Sequence, residues 1–153
     1  MSTQPARILV VDDDPLVAES IAEFLSNEGY DVPTAARGQE ALDLLVDAAR
    51  GTNAEPARPF AVVITDMAMR GMDGLALIKA MRAKDISAVA LAITGYGTIE
   101  SAVATIRLGA IDYLTKPVVD DELRIAVEKA VRQHTLVSEN VSLGRQIAVG
   151  DVA

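Results

Sequence analysis

Between residues 7 and 131, short apolar runs rich in Val and Ile alternate with longer stretches of helical period. This is the pattern of successive βα units wound around a parallel sheet. Five units are legible, with strands predicted at 7–12 (RILVVD), 30–34 (YDVPT), 60–65 (FAVVIT), 88–94 (AVALAIT) and 111–115 (IDYLT). The first, third and fourth are almost continuously apolar, which predicts helices over both of their faces. Pro33 weakens the second and assigns it an outer position, because proline cannot donate to a ladder. Leu16, Val17, Ile21, Phe24 and Leu25 predict the buried stripe of a first helix, with Asn27 and Gly29 as its stop. The later stripes are Ala41, Leu42, Leu45 and Val46, then Leu75, Ile78 and Met81, then Ile99, Val103 and Ile106, and finally Leu123, Val127 and Val131.

Two segments depart from this economy. Residues 50–59, RGTNAEPARP, hold Gly and two prolines and predict a long surface loop before the third strand. Past the fifth helix, residues 134–153 keep some helical propensity, with Gly144 and Gly150 as interruptions and Leu136, Asn140 and Leu143 as a weak heptad. They read as the start of a linker helix or short coiled coil, and the ending AVGDVA reads as a cut inside a longer protein. Half of the 153 residues are apolar, enough for one packed domain. A net charge of −8 argues against nucleic-acid or anionic-membrane binding, which depends on clustered Lys and Arg. No run approaches the ~20 apolar residues of a membrane span, and cysteine is absent. These features point to a reducing, cytoplasmic setting.

Ligands of open parallel sheets bind beyond the carboxyl ends of the strands. Asp12 and Asp13 end the first predicted strand, Asp66 follows the third, Thr94 ends the fourth and Lys116 follows the fifth. Each has a plain alternative: a polar turn for the acids, a strand end for Thr94, a snorkelling surface lysine for Lys116. Asp14 is explained by Pro15 after it, the signature of an N-cap with proline at the first helical position. If Asp12, Asp13 and Asp66 converge, their repulsion demands a cation. Mg²⁺ suits them best, because it uses few carboxylates, keeps waters and accepts a phosphoryl oxygen. Zinc would bring His or Cys, and the single histidine, His134, reads as a surface residue.

The stretches LVVDDDP, VVITDMAMRGMDG, LAITGYGTIESAV and GAIDYLTKP, in this order, resemble the receiver domain of two-component response regulators over about residues 5–133. The last two are closest to receivers of NtrC-like transcriptional activators. The resemblance implies a doubly wound (βα)5 α/β fold, a flavodoxin-like three-layer sandwich of strand order 2-1-3-4-5. It implies Asp66 as phosphoacceptor, with Mg²⁺ held by Asp12, Asp13, Asp66 and the main-chain carbonyl of Ala68. Thr94 becomes the switch hydroxyl, Tyr113 the switch aromatic and Lys116 the phosphoryl-oxygen ligand, with a cis bond to Pro117. It further implies a sensor histidine kinase as partner and an effector domain beyond residues 134–153. Homodimerisation would use the face of the fourth helix, fifth strand and fifth helix, or the C-terminal helix. Such a chain is a signalling domain that catalyses only its own phosphorylation and dephosphorylation. Two departures stand out: Arg70 replaces the usual proline of the third loop, and residues 50–59 are an insertion. Ala68 and Tyr96, two residues past Asp66 and Thr94, offer no good general base, which implies slow self-dephosphorylation.

Two rival readings remain. A phosphatase of the haloacid dehalogenase type would use Asp12 and Asp14 as an Asp-x-Asp pair, but Leu16 and Pro15 fit it poorly and Asp66 has no role in it. A docking module without phosphoryl chemistry would leave the acids, hydroxyl and lysine unexplained.

Overall fold

The structure, a computed structural model, describes residues 5–52, 54, 56–95 and 99–151, with the backbone alone at 99, 101, 102 and 137–151. Five strands, β1 (Ile8–Val11), β2 (Thr34–Ala35), β3 (Val62–Asp66), β4 (Val89–Thr94) and β5 (Asp112–Thr115), alternate with five helices. These are α1 (Pro15–Asn27), α2 (Gly38–Arg50), α3 (Gly74–Ala83), α4 (Ile99–Arg107) and α5 (Asp120–Asp151). All strand pairs are parallel and the order is β2-β1-β3-β4-β5, the flavodoxin-like arrangement. The chain leaves β1 towards β2 and returns to its other side with β3. That reversal opens a crevice between the carboxyl ends of β1 and β3.

Pleating divides each strand between two cores. Ile8, Val10, Val62, Ile64, Leu91 and Ile93 pack with Ile21 and Leu25 of α1 and Leu123 and Val127 of α5. Leu9, Val11 and Val63 face α2 and α3 through Leu42, Leu45, Leu77 and Met81. Both faces of the sheet are therefore covered, as the continuous apolar runs require. Helix α1 starts on the Asp14 cap, whose Oδ1 accepts the Leu16 N–H at 3.0 Å, with Pro15 at the first position. It stops at Gly29, whose φ of +100° suits the left-handed turn that closes a helix.

Several expectations need correction. The second strand is shorter and later than predicted: Asp31 makes only an isolated bridge to Arg7, and the ladder resumes at Thr34. Pro33 lies between them on the sheet edge, its carbonyl accepting from Val10 N at 3.1 Å. Leu16 is 76% exposed, and Ala18 takes its place in the buried stripe of α1. On α4, Val103 and Ile106 face outward at 43% and 42% exposure, while Thr105 is buried. Gly144 and Gly150 do not interrupt α5, which runs through both. An internal glycine costs only about 1 kcal/mol and, unlike proline, leaves the hydrogen-bond ladder intact.

The 50–59 loop joins the sheet at the amino end of β3. Arg58 N–H bonds to the Ala48 carbonyl at 2.9 Å, and its guanidinium lies 3.3 Å from Asp31, which Arg7 also engages at 3.3 Å. Arg7 in turn stacks 4.2 Å from the Phe60 ring centroid. Among the described residues, no helix is long and apolar enough to cross a membrane.

The same substitution should separate core from surface. Leu91→Ala, at a fully buried position of β4, is expected to lower unfolding stability by about 2–5 kcal/mol in urea titrations. Leu16→Ala is expected to stay within about 0.5 kcal/mol of the unaltered chain.

Candidate functional site

Val11 pairs with Thr65, so Asp12 and Asp66 stand at adjoining strand ends at the crevice. Both are nearly inaccessible, at 2% and 4% exposure, whereas Asp13 is exposed. Oδ1 of Asp12 accepts the Asp14 N–H at 2.9 Å, and Oδ1 of Asp66 accepts the Ala68 N–H at 3.1 Å. The other oxygens turn to one cation: Lys116 Nζ donates to Asp66 Oδ2 at 3.2 Å and lies 3.3 Å from Asp12 Oδ2. Lys116 reaches them from the end of β5, and its own N–H donates to the Thr94 carbonyl at 2.9 Å. Thr94, partly buried and paired with Thr115, therefore sits beside the lysine. The Lys116–Pro117 bond is cis, as expected.

The structure thus gathers Asp12, Asp13, Asp66 and Lys116, and sets Thr94 and Ala68 next to them. Tyr113, one strand position before Leu114, is 37% exposed on β5, with its N–H on the Asp112 carboxylate at 2.8 Å. Tyr96 lies outside the described residues. Asp14 serves α1 as its cap and leaves the acid group, so the Asp-x-Asp reading loses its second acid. His134 is not a plain surface residue: it is half-buried, with Nε2 3.3 Å from Ser87 Oγ, and burial pushes its pKa down.

Two supports had no clear signal in the sequence. The Arg70 N–H reaches Asp13 Oδ2 at 3.4 Å, tying the loop after β3 to the exposed acid. Gly74 opens α3 so close to β3 that a Cβ there would meet the Asp66 carbonyl oxygen at 2.6 Å. Only glycine permits that approach.

Electrostatics favour a bound cation. Burial raises the pKa of Asp12, and the Asp66 charge raises it further, against the Asp14 N–H and Lys116, which lower it. Burial alone would lower the pKa of Lys116, but the Asp12 and Asp66 carboxylates outweigh it and the pKa is raised. Asp12 Oδ2 is buried, and its charge is met by an ammonium that it shares with Asp66, thin compensation for a buried carboxylate oxygen. Ligand oxygens of Asp12, Asp13 and Asp66 all lie within 4.8 Å of one another. A hard divalent ion that prefers oxygen ligands and keeps its remaining waters fits this group and adds the positive charge that one shared ammonium does not supply.

Comparison with known proteins points the same way. The profile of the response regulator receiver domain matches residues 8–128. The transcriptional regulatory protein FixJ of Bradyrhizobium diazoefficiens is 33% identical over 146 residues, spanning 95% of this chain and 66% of that protein. The transcriptional regulatory protein GlrR of Escherichia coli K12 is 36% identical over 133 residues, spanning 87% of this chain and 28% of that protein. The chain is therefore shorter than either relative. A response regulator receiver domain from Clostridium thermocellum superposes with a TM-score of 0.75 at 30% identity, covering 86% of this chain and 98% of that one. NtrX from Brucella abortus does so with 0.75 at 32% identity, over 92% and 29%.

The raised Asp12 pKa has a signed consequence. The folded chain binds a proton there more readily than the unfolded chain, so the charged carboxylate destabilises the fold above the folded pKa. That cost disappears as pH falls below the ordinary 3.8. With metal chelated by EDTA, Asp12→Asn should have a higher urea midpoint than the unaltered chain at pH 7, and the gap should shrink on acidification. A gap independent of pH would contradict the assignment.

Proposed function

The chain belongs to the response regulator receiver domain family, and on that premise we propose that Asp66 accepts a phosphoryl group from a phosphohistidine of a sensor histidine kinase. The observation that carries this reading is the single ammonium of Lys116 shared by two buried carboxylates, with an oxygen of Asp13 within 4.8 Å of theirs. A purely structural ion pair would not require three converging carboxylates.

The Asp66 carboxylate attacks phosphorus in line, the phosphorus–nitrogen bond breaks, and the imidazole leaves with the electron pair. Asp12, Asp13, Asp66 and the main-chain carbonyl of Ala68 would hold Mg²⁺, which when bound neutralises charge on the phosphoryl oxygens. Lys116, already 3.2 Å from Asp66 Oδ2, moves its hydrogen bond to a phosphoryl oxygen. The Ala68 N–H fixes the orientation of the nucleophile. Catalysis is then mainly positioning and charge stabilisation.

Phosphorylation adds roughly −1.5 to −2 charges and new acceptors at Asp66. Thr94 donates to them and Tyr113 follows into the space it leaves, which biases the face of α4, β5 and α5 between two arrangements. Outward Val103, Ile106 and Tyr113 give that face an apolar surface suited to a homodimer or an effector. The receiver occupies residues 5–133, and 134–153, of which 152 and 153 lie outside the described residues, lead to an effector, transcriptional by analogy with FixJ and GlrR. The domain works in the cytoplasm and leaves nucleic acid to that effector, in keeping with the net charge of −8.

Incubation with a small phosphodonor and Mg²⁺ is expected to add one phosphoryl mass to the intact chain, mapped to the peptide holding Asp66. EDTA or Asp66→Asn should abolish the label. Labelling that persists on Asp12 would support phosphatase chemistry, and no labelling of the unaltered chain would support a docking module.

With a methyl group at Ala68 and no general base there, the Asp66 phosphate should outlast seconds by a wide margin in a chase after donor removal. Decay within seconds would contradict this.

A further inference from the structure

Helix α4 is fastened at its carboxyl end. The chain turns at Gly109, whose φ of +110° lets the Gly109 and Ala110 N–H groups fold back onto the carbonyls of Ile106 and Thr105 at 2.9 and 3.2 Å. The next N–H, of Ile111, joins the sheet by donating to the Ala90 carbonyl at 2.9 Å. The Leu108 carbonyl takes its hydrogen bond from another helix: Arg82, in the last turn of α3, donates to it from Nη1 at 2.6 Å. A guanidinium placed here meets both a helix-end carbonyl and the negative end of the α4 dipole. Among the described residues, Arg82 joins no ion pair that would draw it away. Gly109 also makes room for it, because a Cβ there would stand 2.7 Å from Nη1.

Elsewhere α4 is loosely held. Among its described side chains only Thr105 is buried. A cleft of about 590 Å³ lies between α3 and α4, lined by Leu75 and Lys79 on one side and by Glu100, Val103 and Arg107 on the other. A helix that buries so little owes its position mainly to its ends. The two ends differ: one is tied to α3 and the sheet, and the other follows Thr94, the proposed switch hydroxyl, in the chain. We propose that Arg82 is a positioning residue that pins α4 as a pivot, so that phosphorylation of Asp66 turns the helix about Leu108 and Gly109 and displaces its amino end. This inference rests on the reading of Asp66 as phosphoacceptor and Thr94 as switch. Arg82 touches no reacting atom and acts by confining the motion to one end.

The test follows amide hydrogen exchange of the full chain by residue-resolved NMR, with and without Mg²⁺ and beryllofluoride, a mimic of a phosphoryl group on a carboxylate. In the unaltered chain the mimic should change exchange at residues 100–104 and leave 108–110 within about twofold. Arg82→Ala should speed exchange at 108–110 about fivefold without the mimic, the scale of one lost hydrogen bond, and the mimic should now alter these amides as well. Arg82→Lys, which keeps a cationic donor, should restore most of the confinement. Gly109→Ala, which must displace the guanidinium, should add less on top of Arg82→Ala than it does alone. Urea midpoints establish that each variant is folded. A mimic response at 108–110 of the unaltered chain as large as at 100–104, an unchanged pattern in Arg82→Ala, or no recovery by lysine would each overturn the proposal. If the mimic alters α4 nowhere in the unaltered chain, or does so equally in Asp66→Asn, the switch or the phosphoacceptor reading fails and this inference with it.

Discussion

Lys116 Nζ stands 3.3 Å from an oxygen of Asp12 and 3.2 Å from one of Asp66, at the end of a sheet whose interior is almost wholly apolar. Two carboxylates buried this deeply repel each other more strongly than they would in water, because little solvent lies between them. The ammonium makes their coexistence possible. Its position is set by strand register: β3 fixes Asp66 beside the end of β1, β4 brings Thr94 alongside, and β5 delivers the lysine across Thr94. A slip of one residue in any of these pairings would turn the relevant side chain to the other face of the sheet. The hydrophobic cores on the two faces are what hold the register, so packing far from the pocket determines the distances within it.

Much of this was readable from the amino-acid order, for a physical reason. A buried parallel strand must be apolar throughout and must stop where polar groups begin, so the runs ending at Asp12, Asp66 and Thr94 identify both the strands and their carboxyl ends. The order in which the strands pair is not local information. It entered through the resemblance of four separated motifs, and the structure agrees with it. The Asp14 cap was legible because proline at the next position has few other uses.

The failures have equally specific causes. A period of 3.6 identifies a helical stripe without saying whether that stripe faces the sheet, and on α4 Val103 and Ile106 face outward while Thr105 goes inside. Glycine alone is a weak helix breaker, and at positions 144 and 150, where no proline accompanies it, α5 continues. His134 Nε2 meets Ser87 Oγ, forty-seven residues away in sequence, a contact that no local pattern encodes. The bond from Arg70 to Asp13 is made by a main-chain N–H, and side-chain chemistry alone cannot announce it.

The clasp of Arg7, Asp31 and Arg58 and the loop it anchors meet the sheet at the amino end of β3, while the acids gather at the carboxyl end. Five strand residues separate the two by about 16 Å. Among the described residues, no ion pair of the clasp reaches the acids or Lys116. Charges can be gained, lost or rearranged there, and the insertion lengthened, without retuning the chemistry at Asp66, which leaves one edge of the domain free to diversify while the other stays constrained.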